Sequence, residues 1–306
     1  MLRGVPNWIA LARRVLKDAQ SLDDIKVNQG RILSELNVRR KASRLSDYEF
    51  KVFSQGGEDG IIQFLVSNLD IRNKTFIEFG TEDFSEANCR FLLVKNNWCG
   101  FVVDGSESNM RRLRSSSFYW RYSLNCKATF ITRENVNAAL EESGFDKEVG
   151  ILSIDIDGMD YHVLVELQSW RPSILIAEYN ALFGRERAVS VPYDAEFQRT
   201  SSHYSNLYYG ASLAAFVGLL GGRGYALVGV SSAGNNAFFV RRDLLNDAVR
   251  EVPLHEEFRD STFREARDAN NRLTFLTGRA RREVIADMPL VDVRSGEMLR
   301  VGDLSD

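Results

Sequence analysis

Five carboxylates stand where short apolar runs end. They are Glu78 in TFIEFG (75–80), Asp104 in CGFVVDG (99–105), Asp155 and Asp157 in ILSIDIDG (151–158), and Glu178 in ILIAEYN (174–180). Apolar runs of this length, separated by helical patterns, read as parallel strands, and open α/β sheets bind ligands beyond the carboxyl ends of such strands. A carboxylate placed there is costly unless a polar or cationic group meets it. The pattern points to an enzyme with a nucleotide-like cofactor. Side chains alternate along a strand, so Ser153, Asp155 and Asp157 are expected on one face, and Glu178 and Asn180 share a face of the next strand. Two carboxylates on one face repel unless a cation lies between them or one is protonated. Asp155 or Asp157 with Glu178 and Asn180 would form an oxygen-rich set suited to Mg²⁺ or Ca²⁺, with Asp157, Glu178 and Asn180 as the metal ligands. Asp157 is otherwise a candidate general base, and so is His203, which lies beside Tyr204, Tyr208 and Tyr209. A surface or packing role serves His203 equally well, and His162 reads as structural. Caps and turns remain the plain alternative for Glu78 and Asp104.

The elements that must position these groups follow from the pattern. Residues 7–43 read as helix, with Trp8, Leu11, Ala12, Val15 and Leu16 and then Ile25, Ile32, Leu33 and Leu36 at helical spacing. This basic, amphipathic arm suits a lipid surface or a partner, or else packing on its own domain or a dimer mate. Gly56-Gly57 precedes a helix over 58–69 with Glu58 and Asp59 in its first turn. Strands are expected at 75–79, 100–104, 127–132, 150–156 and 173–179, with helices near 86–97, 107–116, 134–143 and 160–168. A long polar and aromatic segment (181–210) leads to a helix ended by Gly221 and Gly222, then to a hairpin, 225–231 and 236–242. The expected fold is a doubly wound, mostly parallel, seven-stranded α/β sheet. The expected divisions are an N-terminal helical arm (1–47), the α/β domain (48–249) and a charged extension (250–306).

Composition sets outer bounds. The 306 residues are 44% hydrophobic and 26% charged, an ordinary globular balance. A net charge of −3 gives no basic field for nucleic acid. The 3 cysteines, Cys89, Cys99 and Cys126, have neither disulfide-framework nor zinc spacing, which fits a reducing cytoplasm. The longest apolar run, near Ala211–Leu220, is short of the ~20 residues a bilayer span needs. Arg13 and Arg14 interrupt what a signal peptide would keep apolar, so neither export nor a transmembrane segment is expected.

Five parallel strands closed by an antiparallel hairpin, with Glu78-Phe79-Gly80-Thr81 after the first, resemble class I S-adenosylmethionine-dependent methyltransferases. The usual second glycine is replaced, since Glu82 and Asp83 follow Thr81. SQGGEDG (54–60), EFGTEDFSEANC and DIDGMDY…IAEYN are similar to a subgroup related to FkbM-type methyltransferases, which act on sugars and natural products. The similarity runs over roughly residues 48–245. It implies S-adenosylmethionine held by Gln55, Glu78, Gly80, Asp104, Gly105, Ser106 and Asp155, with Glu58 nearby. Asp104 would accept hydrogen bonds from both ribose hydroxyls, Gly80 would let the cofactor approach the backbone, and Asp155 would hold the methionine amino group. Metal-dependent relatives place Asp after strand four and Asp-Asn after strand five, where this chain has Glu178-Tyr179-Asn180, so Mg²⁺ is an optional addition. The acceptor implied is a sugar hydroxyl of a glycan, glycolipid or natural product. Arg185, Arg187 and Arg199 among aromatic residues suit an acidic sugar, and Asn235 and Asn236 can reach the same mouth.

Three other functions compete. Asp155-Ile156-Asp157 is a DxD sequence, as in metal-dependent glycosyltransferases, but that model leaves Glu78 and Asp104 without a task. A dehydrogenase would lack its G-x-G-x-x-G phosphate cradle after strand one. A non-catalytic relative that kept the fold for binding a partner, or a homodimer built through the terminal arms, is also compatible.

Overall fold

The computed structural model describes residues 6–304, with side chains from residue 21 onward. The chain opens with the long helix α1 (Pro6–Arg39), and the apolar set from Trp8 to Leu16 lies outside the described side chains. α2 (Glu58–Asn68) leads into β1 (Thr75–Phe79), α3 (Arg90–Asn96), β2 (Cys99–Asp104), α4 (Glu107–Ser115) and β3 (Leu124–Ala128). Then come α5 (Val136–Glu141), β4 (Ile151–Ile154), α6 (Asp160–Glu166) and β5 (Ile174–Glu178). After β6 (Val189–Ser190) and α7 (Arg199–Ser202), α8 (Leu213–Gly221) precedes the hairpin β7 (Tyr225–Val230) and β8 (Asn236–Arg241). α9 (Leu254–Glu257), α10 (Arg279–Glu283), β9 (Pro289–Asp292) and β10 (Met298–Arg300) complete the chain.

The main sheet has seven strands in the order β3-β2-β1-β4-β5-β8-β7. β1 to β5 pair in parallel, and β8 runs antiparallel to both β5 and β7. This is the Rossmann-like, doubly wound α/β fold that the sequence implies. Alternation along the strands divides the core. Ile77, Phe79, Phe101, Val103, Leu152 and Ile154 face α5, α6 and α8, whereas Phe76, Val102, Ile151, Ile174 and Phe238 face α2, α3 and α4. Burial on both faces explains why these strands are nearly continuous apolar runs.

Strand three differs from its expected position at 127–132. It ends at Ala128, where the amide of Thr129 donates to the Asp104 carbonyl at 2.9 Å. The β-forming residues after it leave the sheet, and Phe130 and Ile131 line a cavity instead. The 250–306 stretch is more than an appendage. Its β9 pairs with β6 in a second, three-stranded sheet, over a core that includes Val189, Phe197, Leu207, Ile285, Leu290 and Val301.

α1 lies against the α2–α3 side of the domain. Val27, Gly30 and Ser34 are buried, and Arg90 on α3 reaches Asp23 at 3.2 Å. Gly30 permits the approach: a Cβ there would stand 2.5 Å from Val52 and 2.7 Å from Phe91. A glycine inside a helix costs about 1 kcal/mol relative to alanine, and here it lets two apolar surfaces meet.

Candidate active site

Two adjoining cavities open at the carboxyl ends of β1, β2, β4 and β5, of about 200 and 280 Å³. Gly80, Glu82, Asp155, Asp157 and Arg199 belong to both, so they form the partition of one two-chambered cleft. The smaller chamber is acidic. Among the described residues its lining carries seven carboxylates (Glu78, Glu82, Glu86, Asp155, Asp157, Glu178 and Glu265) and one cation, Arg199. The larger chamber pairs Asp104 and Gly105 with the apolar side chains of Phe130, Ile131, Met159 and Phe197.

Glu78 and Gly80 come from the end of β1. Glu78 is buried and receives the backbone N–H groups of Asn88 at 2.7 Å and Cys89 at 2.9 Å, just ahead of α3. Burial nevertheless pushes its carboxyl up to about 7. Gly80 has φ +73, and a Cβ on it would meet the Asp155 carbonyl oxygen at 1.5 Å. The glycine is therefore demanded by the neighbouring strand, a reason that differs from the expected backbone approach of a cofactor. Glu82 (φ 47) and Phe84 (φ 64) continue this left-handed turn, and the Glu82 amide donates to Asp104 Oδ2 at 2.8 Å.

Asp104 closes β2 and lines the larger chamber with Gly105. Its Oδ1 accepts the Ser106 amide at 2.8 Å and the Asn109 side chain at 3.2 Å. Ser106 is a correction to the expected cofactor set. Its hydroxyl accepts the Asn109 amide as the cap of α4, and it is not part of either cavity lining.

β4 stops at Ile154, so Asp155 and Asp157 do not sit on a continuing strand as alternation implies. The chain turns through Asp157 (φ 57) and Gly158 (φ 147). The buried Asp160 carboxylate fixes this turn by accepting the amides of Ile156 and Gly158, each at 3.0 Å. The turn still brings the acids together: ligand-capable oxygens of Asp155, Asp157 and Glu178 lie within 4.8 Å of one another. Burial, then the charges of Asp157 and Asp160, raise the Asp155 carboxyl well above its usual range. Burial, then Asp155, does the same to Glu178, whose Oε2 is buried without a hydrogen-bond partner.

Arg199, at the start of α7, is the counter-charge. It contacts Asp157 at 3.1 Å, pairs with Glu265, donates to the Asn206 carbonyl at 2.9 Å and lies over the Tyr209 ring at 3.8 Å. Burial opposes its charge, but Tyr209, Glu178, Glu265 and Asp157 more than restore it.

Other expected site residues are not at the cleft. Asn180 is buried and committed to the fold: its amide donates to the carbonyls of Leu207 at 3.0 Å and Tyr209 at 2.9 Å, while its oxygen accepts the Leu182 amide at 3.0 Å. The strand ends at Glu178, so Asn180 starts a turn and is not the third metal ligand. His203 lies outside both cavity linings, with its Nδ1 engaged by the Ser205 hydroxyl at 2.7 Å. His162 bonds the Val191 carbonyl at 2.8 Å, in keeping with a structural role. Gln55 does line the acidic chamber. Glu58 is buried behind it, holding the amides of Gly56 at 2.9 Å and Gly57 at 2.8 Å and the Asn236 amide at 2.9 Å. Asn236 reaches the chamber, and its Oδ1 also lacks a partner. Arg185 pairs with neighbouring Glu186 at the surface, leaving Arg199 as the arginine of this segment that lines the cleft.

Phe263, Glu265 and Phe130 complete the walls and were not among the residues that the sequence singles out. Glu265 and Phe263 arrive from the charged C-terminal stretch, where no local pattern marks them. Phe130 falls within the strand expected at 127–132.

No protein-family model and no curated protein matches the chain. Among solved structures it is similar to the N-terminal domain of EvdMO1 with SAH bound, at 11% identity and a TM-score of 0.34, over 54% of this chain and 72% of that one. It is also similar to the CurJ carbon methyltransferase, at 10% identity and TM-score 0.34, over 60% of this chain and 52% of that one. A third is an S-adenosylmethionine-dependent methyltransferase from Clostridium acetobutylicum, at 11% and 0.30, over 45% and 56%. Thus the match spans about half the length of the last two. Likenesses this distant carry no argument about activity; the fold rests on the observed strand order.

Proposed function

We propose that this protein is an S-adenosylmethionine-dependent methyltransferase that acts on an oxygen acceptor, with a sugar hydroxyl as the acceptor class. The observation that carries this reading is the make-up of the cleft, with seven carboxyl groups facing one arginine, three of them buried acids that release their protons when a cation meets them, beside an Asp104-edged, partly apolar chamber. Such a cleft disfavours a polyanionic nucleotide and favours a ligand bearing positive charge. S-adenosylmethionine brings a sulfonium and an ammonium, together with a ribose and an adenine.

In this reading Asp104 accepts from the ribose hydroxyls, and Phe130, Ile131, Met159 and Phe197 enclose the adenine. Glu78 and Asp155 face the ammonium, with Gln55 beside them. Bound S-adenosylmethionine supplies an electrophilic methyl group. The protein orients the acceptor hydroxyl and takes up its proton as the new C–O bond forms. Asp155 and Glu178 are the candidates for that proton, because burial and their mutual charge raise their affinity for it. Arg199 orients Asp157, and with Tyr209 and Glu265 it borders the space left for an acceptor. The convergent oxygens of Asp155, Asp157 and Glu178, one of them buried and unpartnered, also fit Mg²⁺. Held there, the ion would lower the pKa of an acceptor hydroxyl and clamp a vicinal diol.

The test is calorimetric titration with S-adenosylmethionine, S-adenosylhomocysteine and UDP-sugars, each with and without Mg²⁺. Micromolar binding of the two adenosyl ligands supports the proposal. Binding of a UDP-sugar alone, and only with Mg²⁺, would transfer the site to the DxD glycosyltransferase reading.

A further inference from the structure

Two buried acceptors on the wall of the acidic chamber have nothing to accept. Glu178 ends β5, Asn236 begins β8, and the two stand opposite each other across the antiparallel strands. Directly opposed residues share a face, with Cβ atoms about 4.5–5.5 Å apart. Both line the chamber, and they are 7% and 3% exposed. Glu178 Oε2 and Asn236 Oδ1 are each buried without a hydrogen-bond partner. The Asn236 amide is oriented from behind. Its Nδ2 donates to Glu58 Oε1 at 2.9 Å, while Glu58 Oε2 accepts the Gly56 and Gly57 amides. A carboxylate accepts, so the amide nitrogen must face it and the amide oxygen is left over. Arg199, the one cation of this lining among the described residues, is committed to Asp157, Glu265 and the Asn206 carbonyl. Buried acceptors without donors are rare in folded proteins, and a pair on one chamber wall points to a donor that arrives with the ligand.

We propose that Glu178 and Asn236 hold a primary ammonium of the acceptor, which makes the acceptor an amino sugar or a similar amino alcohol. The identity of the ligand as acceptor rests on the methyltransferase reading; the ammonium site does not. A hydroxyl brings one donor, whereas an ammonium brings three and can meet both oxygens at once. It also brings the positive charge that a lining of seven carboxyl groups and one arginine lacks. An N-acetylated amine fits worse, because it offers a single donor and adds an acceptor to a wall of acceptors. The ammonium of the cofactor is a different group. β4 separates β1 from β5. At ~4.8 Å per strand, Glu178 stands about 10 Å across the sheet from Glu78, which faces the cofactor's ammonium in the proposed arrangement. With Glu178 engaged, Asp155 is left to take the hydroxyl proton as the oxygen accepts the methyl group. A held ammonium has no lone pair, so the amine is an anchor and the hydroxyl is the nucleophile.

Calorimetry on the full chain is the test, with methylammonium, glucosamine, glucose and N-acetylglucosamine as probes. Each is titrated into the free chain and into the chain saturated with S-adenosylhomocysteine. Glucosamine is expected to bind at least ~10-fold more tightly than glucose or N-acetylglucosamine in both series, with methylammonium competing for its site. Glu178→Gln keeps the shape and removes the charge, so it should erase that preference while S-adenosylhomocysteine still binds. Asn236→Leu, checked for folding by its melting temperature, should do the same. Equal binding of the amino and neutral sugars overturns the proposal, as does the absence of any amine bound more tightly than about 50 mM. A preference that survives Glu178→Gln also overturns it. An amine displaced by S-adenosylhomocysteine would give the pair to the cofactor's own ammonium, and one displaced by Mg²⁺ while glucose binds more tightly would give it to the metal; either result ends the proposal. Failure of S-adenosylhomocysteine to bind counts against the methyltransferase reading instead, and the free-chain series still reads the ammonium site.

Discussion

The carbonyl oxygen of Asp155 occupies the place where a side chain on Gly80 would have to begin, 1.5 Å from an ideal Cβ. The ends of β1 and β4 thus interlock through backbone alone, and the carboxylates that follow each strand inherit their spacing from this contact. Gly80→Ala should destabilise the fold by about 2–5 kcal/mol, combining left-handed strain with overpacking. Denaturant unfolding measures it, and a loss under ~1 kcal/mol would mean that the two turns separate easily.

Asp104 holds the Glu82 and Ser106 amides and borders the larger chamber. Asp104→Ala is expected to weaken S-adenosylmethionine binding by ~1–3 kcal/mol and also to lower stability, since two donors lose their acceptor. Calorimetry at a temperature where the variant is folded separates the two effects. Undiminished affinity would remove Asp104 from the cofactor site.

Stability should fall with rising pH through the buried acids. Glu78 is pushed from 4.5 up to about 7 and Asp160 from 3.8 up to about 6. The folded chain therefore binds protons more tightly than the unfolded one, so each contribution is full below the unfolded value and is lost as pH rises through the folded value. A bound ammonium facing Glu78 reverses the preference. The melting-temperature gain from S-adenosylhomocysteine should consequently be larger near about pH 8 than near about pH 6. Equal gains would place the ammonium away from Glu78.

Arg199 is the one cation in the acidic chamber's lining among the described residues. Arg199→Ala should cost ~1–3 kcal/mol in stability through its lost charged hydrogen bonds. In the methyltransferase reading it should also lower kcat while leaving S-adenosylhomocysteine affinity within a few-fold. Arg199→Lys should recover stability better than turnover, since a point charge cannot bridge Asp157 and Glu265 as a planar fork does. Equal recovery of both would show that charge alone matters.

Much of this was readable in the residues. β1 matches its expected limits, and β2, β5 and the hairpin lie within a residue of theirs, because strands buried on both faces must be unbroken apolar runs. The acids at their ends were equally plain. Asn180 misled because alternation holds only while a strand lasts, and β5 ends at Glu178. Thr129–Thr132 misled because β-forming side chains serve as well to wall a cavity as to extend a sheet. In α1 the apolar residues Ile25, Ile32, Leu33 and Leu36 stand out in the sequence and are exposed, whereas the face that packs on the domain, Val27, Gly30 and Ser34, is too small and polar to announce itself. Glu265 was invisible for another reason: its partner Arg199 is 66 positions away, and nothing local to either announces the other.

That separation has a consequence for the order in which the molecule is made. When the last strand of the main sheet has left the ribosome, nearly all of the buried side chains of its hydrophobic core have been made. Arg199 still awaits Glu265, and one wall of the cleft has yet to be synthesised. Clipping the polypeptide after the hairpin should therefore keep most of the main sheet's core, but strip Val189, Leu207 and Tyr208 of their partners together with that wall.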